Sequence, residues 1–588
     1  MTATAIRRLE IRRFRSIRAL TWLPDPRLNL ILGAADSGKS TVLEAIALLF
    51  STAPSYGLSE FDYYRRDVPG GFTIEAVLAV GDASVLRDEG FPAPPLQGWI
   101  ENRLTDLPDE EGAEAVLVCR LTATADQETI YEVIGAGGEI RATFSRAMRR
   151  RIGLARLGVA DRGDRDIRLV QGGALDRYLQ GQDVRQTVLQ AVMKTPLHDQ
   201  LDEAPRTALE TISKGFEERN LPNPVRLGLV GTPGVSLAAS VGLTVGENDP
   251  DALPLAAWGT GTRRLAALEI SSLGSRADVI AVIDEPETGL EPYRQRVFIR
   301  DLAAKPRQAF VTTHAPAVLA QTSKEASRIW RIDQPALPSD ADIAPVCEGV
   351  EEPASHALSA ILGEELGRIA AAQPEALFAR LPIVCEGITE VGFATRMLEH
   401  RFGLGFSCRG VFCLDAGGHY KALPIVQSLL AAGFPVAAVV DDEGKKAGTW
   451  EAVGKQSILL RWMEGACLEG FVLSVMPDEM LQEAHEWADQ ASQRNAVHQL
   501  AEIRKALELD KGLTAAEMFA AVGRERYLGA LLSRACPKPE GNRRPRGWFK
   551  SFEGGHLLAG KLLSLNPPPA PMQQVETFLA AIEQATGV

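Results

Sequence analysis

One nine-residue stretch, Gly33-Ala34-Ala35-Asp36-Ser37-Gly38-Lys39-Ser40-Thr41, constrains this 588-residue chain more than any other feature. It fits the pattern GxxxxGK[ST], with a strand-like apolar run before it (residues 28–32) and helical apolar spacing after it (residues 40–50). A glycine-rich turn is therefore expected between a strand and a helix. Its amides can surround phosphate oxygens, and the helix N-terminus favours their charge. Gly33, Asp36, Ser37, Gly38, Lys39 and Thr41 are the expected nucleotide contacts, with Lys39 reaching the β/γ-phosphates and Ser40 offering its hydroxyl to Mg²⁺.

A second element lies far downstream, where the apolar run 279–283 ends in Asp284-Glu285. Asp284 is expected to hold the Mg²⁺ shell, and Glu285 to orient or deprotonate the attacking water. A further strand-like run (309–312) leads into Thr313-His314, which places His314 to sense the γ-phosphate. Before the acidic strand, residues 258–264 read WGTGTRR, and the amides of Gly259 and Gly261 at a helix start can also face a phosphate.

This order resembles the ABC ATPase superfamily, in particular its SMC-like and OLD (overcoming lysogenization defect) branches. The similar elements are IRRFRSI at 11–17, the phosphate loop, IDEPETGLEP at 283–292 and TTHAP at 312–316. The resemblance implies ATP held between two ATPase heads, with Gly259 and Gly261 serving a nucleotide bound by another subunit. The signature departs from LSGGQ, and Ala35-Asp36 stands where relatives often have Asn-Asn. No long coiled coil separates the motifs, which counts against an SMC-type tether.

A chain of this length exceeds one hydrophobic core, and 45% apolar with 24% charged residues describes an ordinary globular protein. The apolar runs are too short to cross a bilayer and no signal-peptide pattern opens the chain, so a cytoplasmic protein without a membrane partner is expected. Seven scattered cysteines form no CxxC pair, which suggests neither a disulfide framework nor a zinc ribbon. A net charge of −13 argues against coating nucleic acid by bulk electrostatics. Two local clusters, Arg146/Arg149/Arg150/Arg151 and Arg543/Arg544/Arg546/Lys550, are either DNA tracks or solvated faces. The expected organisation is a multidomain α/β protein. An ABC-type P-loop ATPase occupies 1–145 and 223–335, an inserted helical dimerisation segment 146–222, a linker region 336–378 and a second α/β domain 379–588.

The second domain opens with the strand-like run 381–385, followed by Glu386, Gly387 and, one helical turn on, Glu390. That spacing brings both carboxylates to one side of a strand–helix junction. Another apolar run, 435–440, ends in Asp441-Asp442-Glu443, where Asp441 and Glu443 share a face. Carboxylate oxygens of this kind suit Mg²⁺ or Mn²⁺. Asp415 ends a strand between these runs and either joins a second metal or caps a turn. Glu469 is either a further ligand or structural, and Asp442 is the uncertain member of its trio. The acidic pattern resembles the Toprim fold, with Asp-Asp-Glu in place of the commoner Asp-x-Asp. Two-metal phosphodiester hydrolysis follows from such a site. OLD nucleases carry a functionally important lysine in this part of the Toprim region; Lys550 is the nearer positional match and Lys561 the alternative.

The resemblance to the OLD family spans nearly the whole chain, and length and the Asp-Asp-Glu motif lean to its class 2, Gabija-like branch. It implies a homodimer, divalent-metal-dependent nicking or cleavage of DNA, a role in phage defence or DNA repair, and a Rep-like helicase as partner. Glu386, Lys550 and Glu285 are then the catalytic residues. Competing readings are an SMC-like repair ATPase, a topoisomerase using Tyr420 or Tyr527, a primase, a transporter ATPase and an ATP-switched scaffold.

Overall fold

The P-loop strand Leu28–Leu32 is buried at all five positions, as the central strand of a sheet covered on both faces must be. The computed structural model describes residues 4–34, 36–52, 57–80, 95–108, 110–157, 167–169, 173–179, 201–229, 241–246, 252–273, 279–305, 307–321, 327–333, 354–361, 363–442, 447–462, 465–492, 495–510, 512–537, 547–570 and 572–587. They form two units, Met1–Ile361 and Leu362–Val588.

In the first unit the core sheet runs in the order Leu154–Leu157, Ile280–Asp284, Ala309–Thr312, Leu28–Leu32, Ser327–Asp333 and Ala357–Ile361. Its first five strands are parallel and the last is antiparallel. The strand leading to Thr313-His314 therefore lies between the P-loop strand and the acidic strand. An antiparallel sheet with Ala5–Phe14 and Phe72–Ala79 near its centre packs its apolar face on the helix Lys39–Leu49. Buried Gln308 joins the two sheets: its Oε1 accepts from Ile6 N at 2.7 Å and its Nε2 donates to Ile6 O at 2.9 Å.

Two segments differ from the sequence-based expectation. Within 146–222, a short helix (Arg146–Ile152) leads into Leu154–Leu157, which pairs in parallel with Ile280–Asp284, so the stretch expected to be a helical insert contributes the edge strand of the core sheet. An edge strand of four residues is too short to show a strand period. The helix Glu203–Glu218 does follow, and it buries Leu209, Ile212 and Phe216 in one apolar cluster with Ile270 of the helix Thr260–Leu273. Within 336–378, expected to be a linker, Ala357–Ile361 is the sixth core strand and Glu364–Ala372 is a helix of the second unit. The Pro- and Glu-rich composition of the preceding stretch masked both; residues 334–353 lie outside the described residues.

The second unit is built on four parallel strands in the order Val411–Asp415, Leu381–Cys385, Ala437–Val440 and Ile458–Arg461. The order reverses at Leu381–Cys385, so a crevice opens outside the carboxyl ends of that strand and Ala437–Val440. The helices Ile388–Phe402 and Phe552–Leu563 meet through glycine. A Cβ added at Gly392 would lie 2.0 Å from Phe552 O, and one at Gly555 would lie 1.8 Å from Thr389 O.

Candidate functional site

In the first unit the P-loop turns through Asp36 (φ 59°) and Gly38 (φ 94°) into the helix that begins at Lys39. Lys39 Nζ donates to the carbonyls of Gly33 (3.0 Å) and Ala34 (2.7 Å). Burial lowers its pKa, against the pull of Glu285 and Asp284. Ser40 Oγ donates to Asp284 Oδ1 at 3.2 Å, and Thr312 Oγ1 reaches the same carboxylate oxygen. Thr41 Oγ1 lies 3.5 Å from Ser16 Oγ in the IRRFRSI stretch. Ser37 Oγ is buried without a hydrogen-bond partner, an atom that a phosphate oxygen could satisfy.

Glu285 is held at φ 47°, a region costing a non-glycine residue about 1–2 kcal/mol. Its amide is pinned by Thr312 O and Thr312 Oγ1, both at 3.2 Å. His314 Nε2 lies 3.8 Å from Glu285 Oε1, and the His314 amide donates to Glu287 Oε1 at 2.6 Å. Gly259 precedes the helix Thr260–Leu273, and Gly261 touches the loop after the acidic strand, where an added Cβ would stand 1.9 Å from Gly289 O.

Two contributors were not singled out from sequence. Arg264, 1% exposed, donates through Nη2 to the carbonyls of Asp284 (2.8 Å) and Glu285 (3.1 Å), tying the helix Thr260–Leu273 to the acidic strand. His356 packs its imidazole on Gly38, where an added Cβ would lie 3.2 Å from Nε2. It falls in the segment expected to be a linker, so nothing local signalled it.

In the second unit Glu386 follows its strand and accepts through Oε2 from the amide of Asp441 at 3.1 Å. His419 Nδ1 stands 3.2 Å from the same oxygen. Glu390 and Asp441 are 3% and 4% exposed, and Glu469 is fully buried. Burial pushes Glu390 up to about 8, opposed by Lys550 and reinforced by Glu469 and Glu386. Burial and then Glu390 and Glu386 also raise Asp441. Asp441 Oδ1 accepts from Leu468 N at 2.9 Å, while Glu390 Oε1 is buried without a hydrogen-bond partner. Lys550 Nζ pairs with Glu469 Oε1 at 2.8 Å; burial disfavours its charge, but Glu469 and Glu390 outweigh that and raise its pKa.

The remaining candidates sort by their partners. Asp442 is taken by Arg461 (2.7 Å). Asp415 Oδ1 accepts from Gly417 N at 2.8 Å, the turn-capping arrangement. Lys561 lies over the Trp487 ring, 4.8 Å from its centroid, and so belongs to a cation–π contact. Glu443, Arg543, Arg544 and Arg546 lie outside the described residues. In the first basic cluster Arg149 is buried with its guanidinium 3.5 Å from the Tyr131 ring centroid, so it is part of the core.

His419 follows a Gly-Gly turn, a local signal that could have found it. The thiols of Cys467 and Cys536 lie 3.1 Å apart, and with Glu469 they bring three possible ligand atoms within 4.8 Å of one another. Sixty-nine residues separate these cysteines, and no sequence spacing foretells their meeting.

Two family models match the chain. The AAA domain described as a putative AbiEii toxin of a Type IV TA system matches residues 183–320, and a further AAA domain model matches residues 8–75. Solved structures with some likeness include an Smc head bound to the C-winged helix domain of ScpA (17% identity, TM-score 0.35, 56% of this chain and 94% of that one). The SMC head domain from Thermotoga maritima (14%, 0.28, 56% and 95%) and RecF-ATPrS of the RecFOR pathway (12%, 0.33, 56% and 96%) are two others. No curated protein matches. The matched models contain the P-loop, the acidic strand and His314, and the first unit is an ATP-binding, AAA-type P-loop ATPase. Among the described residues no helix is long and apolar enough to cross a membrane.

Proposed function

We propose that this chain is an ATP-regulated, divalent-metal-dependent DNA endonuclease of the OLD type, class 2 and Gabija-like, working as a homodimer in phage defence or DNA repair. The second unit is read as a Toprim domain, residues 146–222 as holding the dimerisation segment, and a Rep-like helicase as the partner. The observation that carries the reading is the meeting of Glu386, Glu390 and Asp441 at the carboxyl edge of a parallel sheet, with Lys550 held beside them through Glu469.

The donor set fits Mg²⁺ or Mn²⁺. Three hard carboxylates crowd a buried space, two of them raised by burial and mutual repulsion, and Glu390 Oε1 has no partner. Glu386, Glu390 and Asp441 would hold the ion, with Glu443 completing the set; when bound, it supplies Lewis-acid activation of water and neutralises phosphate charge. His419 and the Asp441 amide both engage Glu386 through Oε2, so Oε1 would be the oxygen offered to the ion. Lys550 offers a permanent positive charge to offset the charge that grows on the phosphodiester. Its pairing with Glu469 sets where that charge sits.

In the first unit, Ser40 and Asp284 would hold the Mg²⁺ of ATP, and Glu285, propped by Thr312, would orient water. Gly259 and Gly261 would meet the nucleotide of the second head. A second reading, an SMC-like repair ATPase that does not cut, is favoured by both matched family models falling within the first unit. Supercoiled plasmid incubated with Mn²⁺ or Mg²⁺ separates the two. Wild type should nick it, and Glu386→Ala should lose more than about 100-fold of the rate with its melting temperature retained. A wild-type protein that leaves plasmid intact with either ion removes the nuclease reading.

A further inference from the structure

A cavity of about 340 Å³ opens in the first unit between the signature helix Thr260–Leu273, the helix Pro292–Ala304 and the end of the helix Glu203–Glu218. That volume is the size of a small-molecule pocket. Its apolar surface comes from Leu265, Val297, Phe298 and Leu302.

Among the described residues the charges around it do not balance. Arg294 pairs with Glu291 and Arg300 with Asp301, each at 3.3 Å. Arg219, Lys305 and Arg307 are left to share buried Glu269, which Arg219 already holds at 2.6 Å; Glu218, also lining the cavity, is exposed. Arg307 Nε is buried with no hydrogen-bond partner. Burial lowers the pKa of Arg307, opposed by Glu269 and reinforced by Arg219; Lys305 is lowered by burial and then by Arg307, with Glu269 opposing. Like charges held out of water beside an unsatisfied guanidinium donor are the makings of an anion site. Among the described residues one to two positive charges are in surplus, which a phosphate monoester of about −1.5 to −2 would cancel.

We propose that this cavity binds a small phosphate monoester with an aromatic or aliphatic body, its phosphate on Arg307 and Lys305 and its body on Val297 and Phe298. The site is separate from the P-loop and needs no nuclease activity. A carboxylate offers a single charge and two oxygens, against about −1.5 to −2 and three acceptor oxygens for a phosphate monoester; inorganic phosphate would leave the apolar surface uncovered.

Phenyl phosphate titrated calorimetrically into full-length Lys39→Ala protein tests this with the P-loop lysine removed. Binding of one molecule per chain is expected, about 10-fold tighter than inorganic phosphate or benzoate. Arg307→Gln and Val297→Trp should each weaken it about 10-fold or more. Lys305→Gln, at a half-buried position, serves should Arg307→Gln fail to fold, and the same loss is expected. Absence of binding, benzoate or inorganic phosphate binding as tightly, or indifference to these substitutions overturns the proposal. So does a Val297→Trp change that shifts the oligomeric state and leaves phenyl phosphate binding intact, since the cavity would then be a seat for protein.

Discussion

His356 is 1% exposed, with Nδ1 at 2.9 Å from Ser355 Oγ and Nε2 lacking any hydrogen-bond partner. Burial lowers its pKa below the ordinary value of about 6.5. Above that value the ring is neutral in folded and unfolded chains alike, and it adds no pH dependence. As pH falls through it the unfolded chain takes the proton first, so stability declines. The thermal midpoint of the first unit should therefore drop between about pH 7 and pH 5, and His356→Gln should flatten that slope whatever it does to the midpoint itself. An unchanged slope in differential scanning calorimetry would place the acid sensitivity elsewhere. Tyr527 calls for the opposite expectation. Its hydroxyl is buried without a partner and burial pushes the phenol up to about 12, which suits a core aromatic and not a nucleophile. Tyr527→Phe should leave plasmid nicking unchanged and stability within about 1 kcal/mol, or raise it. A loss of nicking together with a loss of covalent DNA adduct would revive the topoisomerase reading. Glu386 and Asp441 could be singled out from sequence because each follows an unbroken apolar run, and Glu390 because it lies one helical turn beyond Glu386. Arg264 and His356 could not, because their roles come from where the chain returns.

Elements were legible where one stretch of sequence carries the whole signal. The P-loop strand, turn and helix are contiguous, and the acidic strand is an unbroken apolar run. Leu154–Leu157 and Ala357–Ile361 were not, since each is an edge strand of four or five residues whose identity depends on a neighbour remote in sequence. Close helix approach is equally silent until the partner is in place. At Gly261 the competing effects can be weighed. Alanine in a helix gains about 1 kcal/mol over glycine, yet here its Cβ would stand 1.9 Å from Gly289 O, where backbone must move. Overpacking at about 1–3 kcal/mol outweighs the gain. Gly261→Ala should lower the melting temperature and reduce ATP turnover about 10-fold, since the loop after Glu285 is displaced, while ATP still binds through Lys39. Retained turnover with a raised melting temperature would show that the contact yields freely. Gly555→Ala, aimed at Thr389 O beside Glu390, should by the same reasoning cost both stability and nicking in the second unit.

At the scale of the whole molecule, a formal charge of −13 leaves any DNA contact to local cation clusters, so binding should be salt-sensitive without being strong. What ATP contributes depends on whether it distinguishes open from closed heads, because a ligand shifts a conformational equilibrium only by its differential affinity. Two substitutions hold the first unit on opposite sides of that question. Lys39→Ala removes the cation proposed to meet the phosphates, so ATP binding should fall and the protein should stay in the state it has without nucleotide. Glu285→Gln leaves Ser40, Asp284 and Lys39 in place and removes the proposed base, so ATP should stay bound and uncleaved. If ATP joins two heads through Gly259 and Gly261, Glu285→Gln with ATP should sediment as a tighter dimer than Lys39→Ala with ATP. Its Mn²⁺-dependent nicking rate should then differ from that of Lys39→Ala, faster if head closure admits DNA and slower if it blocks the second unit. Equal nicking by the two variants, with and without ATP, would mean that the units act independently. The carboxylate site would then stand as a nuclease whose neighbour serves some other end.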